Sequence, residues 1–392
     1  MTMNRIVSVM SLLAIAGSAS AYTLSPGDMI FNRNIGTIND SAIEFFDYSS
    51  GTITQLNDGT GKRLGALAMD NNFNLYDVNA PFPLVAPSVT TIYKFTANQL
   101  LSVLDGAPQP GWGNVLATGG DLRNPNEAVF DAASNQMLYP NNNLNLQSTP
   151  DAVQAMLGVN VTTGAVQRIV EDSSSGAFDI PNFQQLGAIT PDPSGAGNYL
   201  FASPNGGTIN PLGNDPGFTG ASLWRLNGTS APGATASLVM DLASAAVISD
   251  IGKPLGFTIT LEEIPGENAL LLADVGDAAT GIGSAIYRVD LNPDGTFNQI
   301  TTLIDQSSFP GLAQVGDVAF NPYTGKFVAA SLTFGSVVGD FIFEFNTDGT
   351  GINVLANGVR GGDFVFVSDN IPAPGAVTIL GAAGLLGLRR RR

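Results

Sequence analysis

Three carboxylates stand in the same local setting. Glu127 precedes Ala-Val-Phe, Asp317 precedes Val-Ala-Phe and Asp363 precedes Phe-Val-Phe. Each apolar triplet reads as part of a buried strand, so the three acids would sit at one depth wherever those strands come together. Converging carboxylates do one of two things. They hold a hard cation such as Ca2+ through oxygen ligands, or they raise one another's pKa into a range useful for proton transfer. The plain alternative is that each caps a strand end in solvent. The 392-residue chain contains no histidine and no cysteine. That excludes Ser-His-Asp and thiol nucleophiles, histidine- or thiolate-bound metals, disulfides and the usual general base near neutral pH.

Other candidates carry a structural reading beside the chemical one. Asp290-x-Asn292-x-Asp294-Gly295 matches the start of a calcium loop, but the twelfth position holds Thr301 where a glutamate is required. With Asn346-Thr347-Asp348-Gly349 at the same place in another repeat, a hairpin turn is expected at both. Trp112 and Trp224, with Tyr76, Tyr93, Tyr139 and Tyr287, could form a sugar-stacking face; their strand settings assign them to the core instead. Trp112, in the loop at 109–114, is the one placed for an exposed contact. Glu262-Glu263 reads as a solvated turn. No catalytic residue is assigned.

Strands that position the three acids recur along the body. One unit is a strand, a turn bearing Asn, Asp, Ser or Thr and usually Gly, and a second strand. It occurs at 43–56, 92–104, 157–170, 222–242, 285–304 and 341–356. A second unit, an inner apolar strand with its own hairpin, precedes most of these, at 64–79, 127–142, 186–204, 255–274 and 315–331. Four strands recurring every 45 to 70 residues or so are the signature of a β-propeller blade. The unit missing from the count is split between the ends, with an inner strand at 361–370 and a second strand at 27–34. Pairing them closes a ring, so the fold expected is all-β, a six-bladed β-propeller. Seven blades remain open because 200–255 could hide another, and so do two β-sandwich domains. Composition agrees: charged residues are only 12%, glycine (46) and proline (23) are abundant, and 44% apolar residues allow a sizeable core. The net charge of −17 includes Arg5 and four terminal arginines, so the body is more acidic still. It would repel nucleic acid and attract divalent cations.

Both ends carry apolar segments, expected as helices flanking the propeller. Residues 1–21 read as a signal peptide, with Arg5, an apolar run from Ile6 to Ala16, and Ala19-Ser20-Ala21 as cleavage pattern. Residues 22–370 form the propeller domain. Residues 371–392 join Pro372-Ala373-Pro374, an apolar run from Gly375 to Leu388, and Arg389, Arg390, Arg391 and Arg392. As a helix that run spans roughly 21 Å, short of the roughly 30 Å hydrocarbon core.

This order of proline motif, apolar helix and arginine cluster resembles the C-terminal sorting signal of PEP-CTERM proteins, with Ala373 where that family has glutamate. The resemblance covers about 6% of the chain. It implies recognition by an exosortase-like membrane transpeptidase and a place at the cell surface, outer membrane or extracellular matrix, with transient anchoring by the C-terminal helix. The body's repeat rhythm resembles the broad group of six-bladed propellers that includes NHL-repeat and gluconolactonase-like proteins, and no functional residue is carried over from it. The function expected first is an exported binding or structural module, without a cofactor, meeting extracellular polysaccharide or surface proteins. The alternative is a metal-dependent hydrolase or lactonase using the carboxylates at the propeller channel, with Ca2+ on Glu127, Asp317 and Asp363.

Overall fold

The computed structural model describes residues 22, 24–34, 40–59, 61–80, 89–122, 127–141, 155–172, 179–180, 187–203, 222–227, 230–255, 258–275, 283–332 and 340–367. These form six antiparallel sheets of a six-bladed β-propeller, all-β apart from two short helices, Ala97–Leu101 and Ala245–Ile251, and one 3-10 turn, Ser102–Asp105. The inner strands are Gly361–Phe366 in blade 1, Leu64–Met69 in blade 2 and Val129–Asp131 in blade 3. Ala188–Pro191, Thr258–Glu263 and Gln314–Asn321 serve blades 4, 5 and 6. Blade 3 adds a fifth strand, Asp179–Ile180, parallel to Val166–Asp172.

Blade 1 takes its inner strand from the C-terminal end of the body and its other three strands from the N-terminal end. Gly361–Phe366 pairs antiparallel with Met29–Asn34, with Met29 opposite Phe366 and Phe31 opposite Phe364. Closing the ring in this way leaves no open blade-to-blade face. The flanking apolar helices expected at 1–21 and 371–392 lie outside the described residues.

The core is divided into six clusters, one at each joint between neighbouring blades. Period-2 alternation produces this, because successive side chains of a strand point to opposite faces of its sheet. In the second strand of blade 5, Leu270 and Leu272 pack toward blade 4, while Leu271 and Ala273 pack toward blade 6. Both faces are buried, which is why Ala269–Asp274 reads as an almost unbroken apolar run. In blade 6, Phe343 is fully buried and stacks at 5.8 Å on Phe345 while meeting Phe309 at 5.2 Å. Truncating it to alanine removes packing worth about 3–5 kcal/mol.

The turns are built from side chains as well as glycines. Asp348 Oδ1 accepts from the Thr350 amide at 2.9 Å and from its hydroxyl at 2.6 Å. Asp294 Oδ1 does the same with Thr296, at 3.0 and 2.7 Å. Gly295 and Gly349 sit at φ 79° and 80°, where a side chain would be strained. The two Asn-x-Asp-Gly-Thr segments are therefore equivalent hairpin turns. Asp290 faces elsewhere, accepting from Arg288 Nε at 2.8 Å and Gln299 Nε2 at 3.1 Å.

One expected hairpin differs. The stretch at 92–104 leaves strand Thr91–Thr96 and turns into helix Ala97–Leu101, because the Thr96 hydroxyl caps it by accepting from the Gln99 amide at 3.1 Å. The outer strand of blade 2 is Asn114–Thr118 instead. The stretch 200–255 contributes blade 4 strands and the helix Ala245–Ile251, with no extra blade among its described residues.

The expectation of membrane anchoring is corrected. The described helices are five and seven residues long, so no described helix is long and apolar enough to cross a membrane. Residues 371–392, where the anchor was expected, lie outside the described residues.

Closure by Gly361–Phe366 sets the limits of the fold. A chain ending at Asn370 should keep its thermal melt, whereas one ending at Arg360 should lose its cooperative transition. Circular dichroism melts of the two truncations test this; equal melts would overturn the closure.

Candidate active site in the central channel

The inner strands surround a cavity of about 360 Å³ whose polar lining includes Glu127, Thr190, Glu262, Asp317 and Asp363, with Phe320, Phe364 and Phe366 among its apolar walls. An inner strand pairs on one side only. Its other edge turns amide groups toward the channel, and buried amides need acceptors. Side chains of the preceding blade meet that need. Asp363 Oδ2 of blade 1 accepts from the Leu67 amide of blade 2 at 2.7 Å. Glu127 Oε2 of blade 3 accepts from Ile189 of blade 4 at 2.5 Å. Thr190 Oγ1 of blade 4 accepts from Glu263 of blade 5 at 3.1 Å, and Glu262 Oε1 of blade 5 accepts from Phe320 of blade 6 at 2.8 Å. Asp317 Oδ2 of blade 6 closes the sequence on Phe364 of blade 1, at 3.2 Å. Five of the six joints are thus fastened by a side chain of one blade on an amide of the next.

The remaining oxygens meet one another. The Thr260 hydroxyl lies 3.0 Å from Glu127 Oε1 and 2.9 Å from Asp317 Oδ1. A hydroxyl has one proton to give, so it serves only one carboxylate at a time. The other carboxyl satisfies the contact by holding a proton and donating it to Oγ1. Electrostatics favour that state. Burial pushes Glu127 well above the carboxylate range, and the charges of Asp317 and Asp363 add to the effect. Burial, then the charges of Asp317 and Asp77, likewise push Asp363 well up. Asp317 is pushed up by burial to about 6, held there by hydrogen bonds from Thr260 and from the Val318 and Phe364 amides. Glu262 is pushed up by burial to about 8. Glu127, Glu262 and Asp363 touch solvent in the cavity, yet the ring around them is dense enough for desolvation to dominate. Among the described residues, no lysine or arginine lines the cavity.

The structure therefore brings Glu127, Asp317 and Asp363 to one channel, as their shared setting in the sequence suggested. Among the described residues, no group of three or more such side chains is arranged to hold a metal ion. Each of the three acids commits one oxygen to a neighbouring amide, which works against a common coordination set.

Two acids escape the sequence reading. Glu262 lies on an inner strand facing the cavity and not in a solvated turn. The apolar-polar alternation of Thr258–Glu263 was the available signal. Asp77, on the second strand of blade 2, is fully buried with no well-formed hydrogen bond to either oxygen, and burial pushes its pKa well up. It sits inside an otherwise ordinary strand pattern and gave no signal. The aromatic residues are core: Tyr76, Tyr139 and Tyr287 are fully buried, and the Trp224 indole donates to Ser222 Oγ at 2.7 Å. Trp112 is half-buried against Tyr93, with ring centroids 5.1 Å apart.

No family model and no curated protein matches this chain. Among solved structures, it is similar to a protein described as a 6-phosphogluconolactonase from Bacteroides fragilis NCTC 9343. They share 12% identity over 90% of this chain and 84% of that one, with a TM-score of 0.48. It is also similar to the periplasmic gluconolactonase PpgL of Pseudomonas aeruginosa, at 13% identity over 87% and 99% of the chains and a TM-score of 0.47. A luciferin-regenerating enzyme follows at 11% identity, 78% and 76% coverage and a TM-score of 0.45. At such low identity and TM-score, none of these likenesses bears on the reaction of this chain. No helix among the described residues is long and apolar enough to cross a membrane, so they give the expected C-terminal anchor no support.

The raised carboxyls make stability depend on pH with a definite sign. A carboxyl whose folded pKa exceeds its unfolded value contributes stability below the unfolded value and loses it as pH rises through the folded one. For Asp317 and Glu262 that loss extends to about pH 6 and pH 8. Asp47 runs the other way: although burial pushes it up, hydrogen bonds from Ser49, Tyr22 and Ser50 hold it at about 2. Its contribution is present above the usual aspartate pKa and lost as pH falls toward 2. The melting temperature should therefore rise from pH 8 to pH 5 and fall again in stronger acid. Glu262→Gln should flatten the slope between pH 6 and 8, which a series of calorimetric scans reads directly.

Proposed function

We propose that the protein is a hydrolase of small uncharged cyclic esters, with Glu127 as general acid and Asp317 as general base in the central channel. The observation that supports this is the pair of carboxyls on one Thr260 hydroxyl inside the cavity, with pKa values displaced to different extents. At neutral pH the pair holds one proton and one charge, the division of labour that acid–base hydrolysis needs. In the reaction, Asp317 takes a proton from water as its oxygen bonds to the ester carbonyl carbon. The carbon–ring-oxygen bond breaks, and Glu127 gives its proton to the departing oxygen. Exchange with solvent resets both groups. The product is a hydroxy acid that ionises, and the acidic cavity then repels it.

The lining also selects substrate. A phosphate or carboxylate on the ring would meet Glu127, Glu262, Asp317 and Asp363, with no lysine or arginine among the described lining residues to balance it. Neutral lactones suit the cavity's volume and its phenylalanine walls. No step requires a metal ion.

A second reading draws on the blade-to-blade bonds: the acids are structural fasteners and the channel binds without catalysis. Glu127→Gln separates the two, because the glutamine oxygen still accepts from the Ile189 amide but no longer delivers a proton. The hydrolase reading expects pH-stat turnover of neutral five- and six-membered lactones, none of their phosphorylated forms, and at least a hundredfold loss in Glu127→Gln at unchanged melting temperature. The acidic limb of kcat/KM should fall near pH 6. Absence of turnover across such a panel, or full activity in Glu127→Gln, would leave the fastener reading.

A further inference from the structure

The hairpin turns put the inner strands on a common frame. Asp70, Asp131, Asp192 and Asn321 each accept from the amide two residues on, so residues counted back from them are equivalent. Three residues back stand Leu67, Ala128, Ile189 and Val318, and four back stand Ala66, Glu127, Ala188 and Asp317. Leu67 and Ile189 turn their amides to the preceding blade, where Asp363 and Glu127 accept. Ala128 holds the same place in blade 3, so its amide faces blade 2. There the equivalent fastening positions are Ala66 and Ala68, which carry no polar atom. Both pack with the fully buried Tyr76 and Tyr139 in the core between blades 2 and 3. Among the described residues, this is the one joint that no such side chain fastens.

Ala128 directly follows Glu127 and lines the cavity with Leu67 and Val129. The other amides of this row are accounted for. Phe364, Leu67 and Ile189 donate across their joints, and Val318 donates to Asp317 of its own strand. Leu261 is fully buried and lies outside the cavity lining. A strand-edge amide facing a cavity takes its acceptor from whatever fills that cavity. The surrounding acids disfavour an anion there, so the matching acceptor is the oxygen of a neutral group. We propose that the Ala128 amide receives the carbonyl oxygen of the ligand at the open joint between blades 2 and 3. The binding stands by itself, whereas its effect on rate rests on the hydrolase reading above. In that reaction the carbonyl electron pair moves onto this oxygen as the water oxygen bonds to the carbon. The amide then stabilises the charge until the carbonyl re-forms and the ring oxygen leaves with the proton of Glu127. No bond to the protein forms or breaks.

The probe is δ-valerolactam, a neutral six-membered ring that keeps the carbonyl and resists hydrolysis. Its isotopically labelled carbonyl is followed by difference infrared spectroscopy, and its affinity by calorimetry. Binding to the full chain should move the carbonyl band to lower frequency. Ala128→Pro removes the donor just before strand Val129–Asp131, at a place where the ladder does not use it. It should abolish the band shift and weaken binding about tenfold at an unchanged melting temperature. Ala66→Asn closes the joint from the other side, with an acceptor oxygen where Asp363 and Asp317 hold theirs, and should do the same. A wild-type chain that does not bind the lactam, or a folded variant of either kind that keeps the band shift, overturns the inference. Lactone turnover is scored separately, and Ala128→Pro should lower kcat/KM about a hundredfold. If wild type and Ala128→Pro hydrolyse lactones equally, the hydrolase reading stands and this inference falls. If the lactam binds through Ala128 but no lactone is turned over, the inference stands and the hydrolase reading falls.

Discussion

The structure turns on the unpaired edge of six inner strands. Each blade pairs both edges of its middle strands; its outer edge strand lies toward solvent, and its inner one faces the channel with half of its ladder empty. An amide buried without an acceptor costs on the order of 1–3 kcal/mol, and water in a narrow channel serves only some of them. This chain supplies acceptors from the preceding blade: Asp363, Glu127, Thr190, Glu262 and Asp317 each take an amide of the next inner strand. The ring is therefore held by apolar packing between blades and by hydrogen bonds that cross the joints at its centre. Nearer the rim, Arg225 repeats the device in another form, bonding Asp192 in its own blade at 2.6 Å and the Gly295 carbonyl of blade 5 at 2.5 Å.

Carboxylates suit this task because they accept and, when ionised, carry no donor that would itself need a partner. An asparagine at the same place would bring a buried NH2 group. The choice has an electrostatic consequence. Several acids now share one small volume with no lysine or arginine among the described lining residues, and desolvation and mutual repulsion lift their pKa values above the usual carboxylate range. Groups placed there to fasten strands thereby become groups able to exchange protons near pH 7. In a chain without histidine, that is the property a hydrolase would otherwise lack.

Much of this was readable in the sequence because the governing pattern is simple. Strands buried on both faces and separated by turns bearing Asn, Asp, Ser or Thr and usually Gly repeat with the rhythm of blades, and the unpaired units at 27–34 and 361–370 could only complete each other. Glu127, Asp317 and Asp363 were visible because each precedes a similar apolar triplet. Thr260 and Glu262 were not, since the inner strand of blade 5 carries threonine where Asp317 stands in blade 6 and moves its acid two residues along. The helix at Ala97–Leu101 was missed because a threonine cap outweighed a hairpin-like apolar spacing. Asp77 marks the limit of such reading: burial is a property of the neighbouring blades, and nothing in Asn74–Asn79 announces it.

Thr260 is the residue that keeps fastening and chemistry compatible. Were it an acid like its counterpart Asp317, a further carboxyl would enter a cluster that already struggles to ionise, and the pair at Glu127 and Asp317 would lose its neutral bridge. A hydroxyl can give its proton to one neighbour and accept from the other, so it stabilises whichever single-proton arrangement the pair adopts. Glu127, with the stronger upward displacement, is the partner that holds the proton, and Asp317 is the one left ionised. The asymmetry comes from surroundings and not from residue type. Hydrogen bonds from Thr260 and the Val318 and Phe364 amides hold Asp317 down, whereas the charges of Asp317 and Asp363 push Glu127 up. Two groups recruited for the same structural purpose are in this way given different protonation states by the ring that needs them both.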